Sequence, residues 1–307
     1  MEIKRTKGRK PFLAHPLCPE NEAPNWNVNC SHEGKWVVMA SEGHVIAGID
    51  VAELRRTRRD GEPIDFHDVF KDNLTFKEWE YVKTHGPCPD KEYEAFSRFW
   101  SAKEAFVKAR GDGLAYPLGK AEFHWKPLDG YELGTAFEGD VHIEGAHSPK
   151  WRFVQYRMPG DSPHWTTVGR GPLTDIVDAH GEFKKTLRKP QELFSDHEWE
   201  AHLNSHSPHF DVLPISALVP QDRLPIPLHN SHLFCSVLTT ATSTRLPPSP
   251  RHKNLDLHTS TRHRTEYVSF VLHWAAPLCD DSSFGMIAVC PVPPMKMHQS
   301  SHRCFVC

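Results

Sequence analysis

Asp50 ends an apolar run, directly after Gly48 and Ile49, and Glu104 sits mid-way along a helical stretch with Lys103 beside it and Lys108 one turn on. Carboxylates from two separate elements suit magnesium, which keeps several waters and completes its shell with substrate phosphate oxygens. A glycine inside a strand marks close backbone approach, and here a ligand is the expected visitor. A plainer meaning stands beside this one. Glu104 and Lys108 at i and i+4 form a solvated ion pair of roughly 0.2–0.5 kcal/mol, and Asp50 simply ends a strand. Two further stretches carry chemistry. Arg5-Thr6-Lys7-Gly8-Arg9-Lys10 sets four cations around a glycine, which can bind phosphates with help from backbone N–H groups or form a solvated basic terminus. Asn29-Cys30-Ser31-His32-Glu33 offers a hydroxyl, an imidazole and a carboxylate. Such adjacency does not make a triad, because triads assemble in space, and a satisfied turn is the default.

These residues need elements to position them. Runs 36–40 and 45–51 are β-rich and read as a hairpin through Ser41-Glu42-Gly43-His44. Thr75 and Glu78 match a capping box that opens the helical stretch 76–83. From Tyr93 to Arg110 the apolar spacing predicts the strongest helix of the chain, with Phe96, Trp100, Lys103 and Val107 on one face. Gly111 and Gly113 stop it. The segments 121–126, 140–144, 151–157 and 164–170 alternate as strands do. The pattern is α+β with an antiparallel sheet, not regular βαβ units.

The 307 residues suffice for about two domains, and 38% hydrophobic with 24% charged residues is an ordinary globular mix. A net charge of -3 argues against a globally nucleic-acid-binding surface. No apolar run approaches the ~18 residues of a membrane span. The basic start has no apolar stretch after it, so it is not a secretory signal, and a cytoplasmic protein is expected. Cys18, Cys30 and Cys88 precede residue 225 and read as free thiols. Beyond that point the chain turns rich in Pro, Ser, Thr and His. Such a composition predicts a mostly disordered tail over 226–307. Within it His298, His302, Cys304 and Cys307 are ligand types zinc favours, although one residue separates His302 from Cys304 and the last cysteine is poorly anchored.

Gly48-Ile49-Asp50-Val51, followed by WSAKEAFVKARGDGL over 100–114, resembles the paired signature of the 4′-phosphopantetheinyl transferase superfamily. The second part of that signature is W-x-x-K-E-[AS]-x-x-K-x-x-G-x-G-L, and Trp100, Lys103, Glu104, Ala105, Lys108, Gly111, Gly113 and Leu114 fill each fixed position. RTKGRKP (5–11) and NWNVNCSHEG (25–34) resemble further stretches of its Sfp-type branch, and the likeness is greatest to eukaryotic members. It runs from about residue 5 to 175, faintly to 225.

The resemblance implies the family's α+β fold of two similar halves with the active site between them. On it, 1–47 is a remnant of the first half, 48–175 the second half with the metal site, 176–225 a family-like extension and 226–307 the low-complexity tail. Apolar surface left where the first half packs implies self-association. Asp50 and Glu104 would hold Mg²⁺ against the pyrophosphate of coenzyme A, with Glu104 and Lys108 serving the transfer and Lys103 beside them. Asn29, Cys30, Ser31 and His32 would contact the 3′-phosphoadenosine end, helped by Arg5, Thr6, Lys7, Gly8, Arg9 and Lys10. The implied acceptor is a serine of an apo carrier-protein domain, in a fatty-acid synthase, an aminoadipate reductase or similar; adenosine 3′,5′-bisphosphate would leave. Two departures are visible: Ala52 stands where bacterial relatives often carry a third acid, and Glu33 where eukaryotic ones tend to carry Gln. The rival readings are a fragment that binds coenzyme A or carrier protein without turnover, and a zinc- or nucleic-acid-binding module in the His-rich tail.

Overall fold

A computed structural model describes residues 1–53, 65–84, 89–132, 134–159, 164–204, 210–214 and 284–290. In chain order the elements that position the site are β1 (Glu2–Arg5), β2 (Pro11–His15), β3 (Asn27–Glu33), β4 (Trp36–Glu42) and β5 (Ile46–Ala52). Then come α1 (Phe66–Phe70), α2 (Phe76–Thr84) and α3 (Pro89–Arg110). The rest are β6 (Ala121–Pro127), β7 (Ala136–Ile143), β8 (Ala146–His147), β9 (Arg152–Arg157), β10 (Trp165–Gly171), α4 (Asp196–Asn204), β11 (Phe210–Pro214) and β12 (Phe284–Cys290).

The larger sheet runs β5-β10-β9-β7-β6, with β8 paired to β7, and every pairing in it is antiparallel. This is the α+β architecture that the alternation of the four later segments implies. α3 lies across β5 and β10, and its Phe96, Phe99 and Phe106 join one core with Phe123, Trp151 and Phe153, all three of which Phe106 meets directly. Phe106 and Trp151 have ring centres 4.8 Å apart. The helix begins at Pro89, a turn before the apolar spacing predicts. Proline is tolerated in a first helical turn, where its missing N–H costs no bond, and Asp90 and Glu92 favour that positive end. The capping box at α2 is formed: Thr75 N–H donates to Glu78 Oε2 (2.8 Å), and Glu78 N–H donates to Thr75 Oγ1 (3.3 Å).

Two expectations are corrected here. β4 and β5 do not form a hairpin. β4 pairs with β3 and β12 in a second sheet, while β5 pairs with β10 in the first. Glu42 explains the departure, because its Oε1 accepts the N–H groups of Gly43 and His44 (2.9 and 3.1 Å) and turns the chain out of plane. The second correction concerns Gly48. A Cβ there would lie 2.1 Å from the Ala105 carbonyl oxygen and 2.4 Å from the Ala109 nitrogen. The close visitor is the backbone of α3, not a ligand.

Most of the tail over 226–307, including His298, His302, Cys304 and Cys307, lies outside the described residues. The exception is β12, an uncharged β-prone run that pairs antiparallel with β4 and parallel with β11. Among the described residues no helix is long and apolar enough to cross a membrane.

Candidate active site

The site is built where β3, β5 and α3 meet. β5 is the end strand of its sheet, and its outer N–H groups face β3. Alternate residues of β3 point at that edge: Asn27 Oδ1 accepts Ala47 N–H (3.0 Å) and Asn29 Oδ1 accepts Ile49 N–H (2.9 Å). One step further, Ser31 Oγ donates to Asp50 Oδ1 (2.7 Å). Side chains thus replace a backbone ladder and fix Asp50, which is buried, within a rigid strand that runs on two residues past it rather than ending there.

Lys108 reaches the same point from the last turn of α3. Its Nζ donates to Ser31 Oγ (2.7 Å) and forms a short ion pair with Asp50 Oδ1. Glu104 is half-buried one turn earlier and shares the helix face of Lys108. The structure therefore brings together Asp50, Ser31 and Lys108, with Glu104 on the adjoining turn. The Asp50 carboxylate is aimed at a cation, since the Lys108 ammonium occupies that position. Among the described residues no three His, Cys, Asp or Glu side chains form a ready cage. Magnesium does not require one, because one or two carboxylates, waters and phosphate oxygens complete its shell. The donor set fits that ion.

The basic segment turns between β1 and β2. Thr6 is buried; its N–H donates to Lys10 O (3.0 Å) and its Oγ1 accepts Lys10 N–H (3.1 Å). Arg5, Lys7 and Arg9 are exposed, with Arg5 donating to Arg9 O (3.0 Å). Gly8 is seated on the turn that ends α3: a Cβ there would lie 2.0 Å from the Gly111 carbonyl oxygen. Lys10 does not join the exposed cations. It is buried, and its Nζ donates to Ala47 O (3.1 Å) and Lys108 O (2.9 Å). It thereby ties the loop to β5 and takes up an orphan carbonyl of α3. Burial pushes its pKa down to about 7; the Cys30 thiol pulls upward against this and the Lys108 ammonium adds to the lowering.

Three expected contacts are not brought to this point. Lys103 is wholly buried, and its Nζ donates to Glu78 Oε2 (2.6 Å), Leu118 O (3.1 Å) and Ala121 O (2.5 Å). All three of its donors are engaged in the core, which corrects the cofactor contact expected of it. His32 and Cys30 alternate with Ser31 along β3 and so point to its other face. His32 is exposed there and Cys30 packs against the Leu13, Trp26 and Met39 cluster. Sequence reasoning missed Asn27, whose amide also donates to Val45 O (2.7 Å) and Asn25 O (3.0 Å). The alternation Asn27-x-Asn29-x-Ser31, with apolar Val28 and Cys30 between, is the signal that could have found it.

Residues 46–167 match the sequence model of the 4′-phosphopantetheinyl transferase superfamily, and residues 1–44 match that of 4′-phosphopantetheinyl transferase, N-terminal. The chain is 32% identical over 196 residues to the human L-aminoadipate-semialdehyde dehydrogenase-phosphopantetheinyl transferase, covering 62% of this chain and 60% of that protein. It is 31% identical over 169 residues to the Rattus norvegicus protein of the same name (55% and 52%), and 29% identical over 136 residues to the 4′-phosphopantetheinyl transferase Sfp of Bacillus subtilis strain 168 (44% and 50%). The chain spans about half the length of the curated relatives it matches.

Proposed function

We propose, from the premise that this chain belongs to the 4′-phosphopantetheinyl transferase superfamily, that it moves the 4′-phosphopantetheine group of coenzyme A onto a serine of an apo carrier-protein domain. The observation that carries the reading is the convergence of Asp50, Ser31 and Lys108 at the β3–β5–α3 junction. Asp50 and Glu104 would hold Mg²⁺. When bound, that ion supplies charge stabilisation for the pyrophosphate oxygens.

The chain's own residues do the rest. Exposed Arg5, Lys7 and Arg9 attract the phosphates of the adenosine end, with Ser31 close by. Lys108 offers an ammonium to the phosphoryl oxygens as charge builds on them. The acceptor serine oxygen forms a bond to the β-phosphorus, and the bond from that phosphorus to the bridging oxygen breaks. Adenosine 3′,5′-bisphosphate departs with the bridging oxygen, and Glu104 takes the serine proton directly or through water. The names of the relatives point to carrier domains of the L-aminoadipate-semialdehyde dehydrogenase kind as acceptors.

The test is incubation of the chain with coenzyme A, Mg²⁺ and a panel of apo carrier proteins. Intact-mass analysis should show one phosphopantetheine added to one serine; no gain on any carrier overturns the proposal. A second reading is binding of coenzyme A or carrier protein without turnover; the chain matches about half the length of its relatives. This reading predicts saturable coenzyme A binding by calorimetry with no mass gain.

A further inference from the structure

At the far edge of the larger sheet from Asp50, β7 turns into β8 through Glu144 and Gly145, with φ of 51° and 86°. Two consecutive residues in the left-handed region are the mark of a type I′ turn, the tightest and stiffest hairpin connection. Just outside it His142 and His147 are directly opposed across the hairpin. Their ring centres are 5.3 Å apart. On the neighbouring position of the same face stands Asp140, opposite His124 of β6. Asp140 Oδ1 lies 3.7 Å from His142 Nε2 and its Oδ2 lies 4.0 Å from His147 Nε2. Oδ1 is shielded from water and has no hydrogen-bond partner.

These distances are too long for hydrogen bonds, but they are near what a shared ion imposes. Ligand atoms at 2.0–2.1 Å from a tetrahedral zinc lie about 3.3 Å apart, and the ring centres of two imidazoles on it about 5 Å apart. Among the described residues no three such side chains are placed to hold an ion as they stand, so binding here requires the three to turn toward one point. These side chains are between 31% and 50% exposed, which leaves them room to turn. His124 packs its ring 4.3 Å from that of His142, but its Nε2 is engaged by Glu122 Oε1 at 2.9 Å, and Lys77 holds that carboxylate at 3.0 Å.

We propose that His142, His147 and Asp140 form a surface site for one transition-metal ion of the zinc class, separate from the carboxylates at the β3–β5–α3 junction. Two imidazoles and one carboxylate exclude magnesium and calcium, which prefer oxygen alone. A fourth position stays open to water or to a side chain of another molecule.

Calorimetric titration of the full chain with Zn²⁺, against the double variant His142→Gln/His147→Gln, tests this. Metal taken up elsewhere, by Asp50 or by the His-rich tail, is common to both proteins and cancels. The wild type should bind one equivalent more than the double variant. Asp140→Asn, which keeps the side-chain shape, should weaken that equivalent at least tenfold, and His124→Gln should leave it unchanged. Cobalt(II) loaded in place of zinc should show visible absorption of tetrahedral type that the double variant lacks. Equal stoichiometry and affinity in wild type and double variant would overturn the proposal. So would loss of the equivalent in His124→Gln, because the ligand set would then be wrong.

Discussion

Lys103 and Lys108 stand five residues apart on α3, and the helix carries them about 140° apart around its axis. Lys103 enters the core, where a carboxylate and two carbonyls receive its ammonium and aromatic Phe123 lies 5.5 Å away. Lys108 emerges at the sheet edge, a quarter exposed, against Asp50 and Ser31. The same residue type, on the same helix, serves cohesion on one side and candidate chemistry on the other. What separates them is how fully their donors are engaged by groups that never leave. A core lysine with three fixed acceptors has nothing left for a substrate, whereas Lys108 holds a carboxylate that a divalent cation can claim.

The largest effect expected from this contrast is on stability. Lys103→Ala leaves the buried Glu78 carboxylate without its cation and should cost about 3–5 kcal/mol, read as a lower denaturant midpoint. A loss below about 1 kcal/mol would mean that the pair contributes little. Next, Asp50→Asn and Glu104→Gln should each lower transfer at least 100-fold, about 2.7 kcal/mol of transition-state stabilisation, with the fold retained. Near-normal turnover in Glu104→Gln at saturating Mg²⁺ would remove that residue from the site.

Asn29→Ala sharpens the contrast from the other direction. It orphans the buried Ile49 N–H, so a cost of about 1–3 kcal/mol is expected, with a fall in kcat from a loosened Asp50. If Asn29 served coenzyme A instead, KM would rise while the midpoint stayed put. Lys10 is a third case, buried like Lys103 but with carbonyls in place of a carboxylate. Its pKa falls from 10.5 to about 7 on folding, so the unfolded chain binds the proton more tightly. Its contribution is full above pH 10.5 and is lost as pH falls through about 7. The wild type should therefore gain stability over Lys10→Met between pH 7 and pH 9, and parallel curves would contradict the burial argument. The smallest effect is expected of Lys7→Ala, an exposed cation. It should raise KM for coenzyme A a few-fold at low salt and less at high salt, with the midpoint unmoved.

Much of this was legible beforehand, for reasons that lie in particular residues. α3 announced itself by aromatic residues at helical spacing, α2 by Thr75 and Glu78, and the antiparallel strands by their alternation. Helix spacing put Glu104 and Lys108 on one face, and only the resemblance to the family signature joined Asp50 to them. The fate of Lys103 was not legible, since its position around the axis says nothing about which face is core until Leu118 and Ala121 fold over it. Nor was the parting of β4 and β5. Ser41-Glu42-Gly43-His44 has turn chemistry, and only the orientation of Glu42 decides between a hairpin and a crossing. Gly48 was correctly read as a point of close approach, but a strand glycine cannot say whether a helix or a ligand arrives.

The carboxamides of Asn27 and Asn29 have one more consequence. An outermost strand offers its free N–H and C=O groups to any passing extended chain, and is the usual place for unwanted sheet growth. On β5 the amides of Ala47 and Ile49 are already taken, so that template is closed without a proline, a bulge or a surface charge. The two asparagines also act as a ruler. A slip of β5 by a single residue would set both carboxamides against groups that cannot answer them and would turn Asp50 to the opposite face. Polar residues on one face of the neighbouring strand β3 thus define the alignment of the acid as firmly as they shield the strand that bears it.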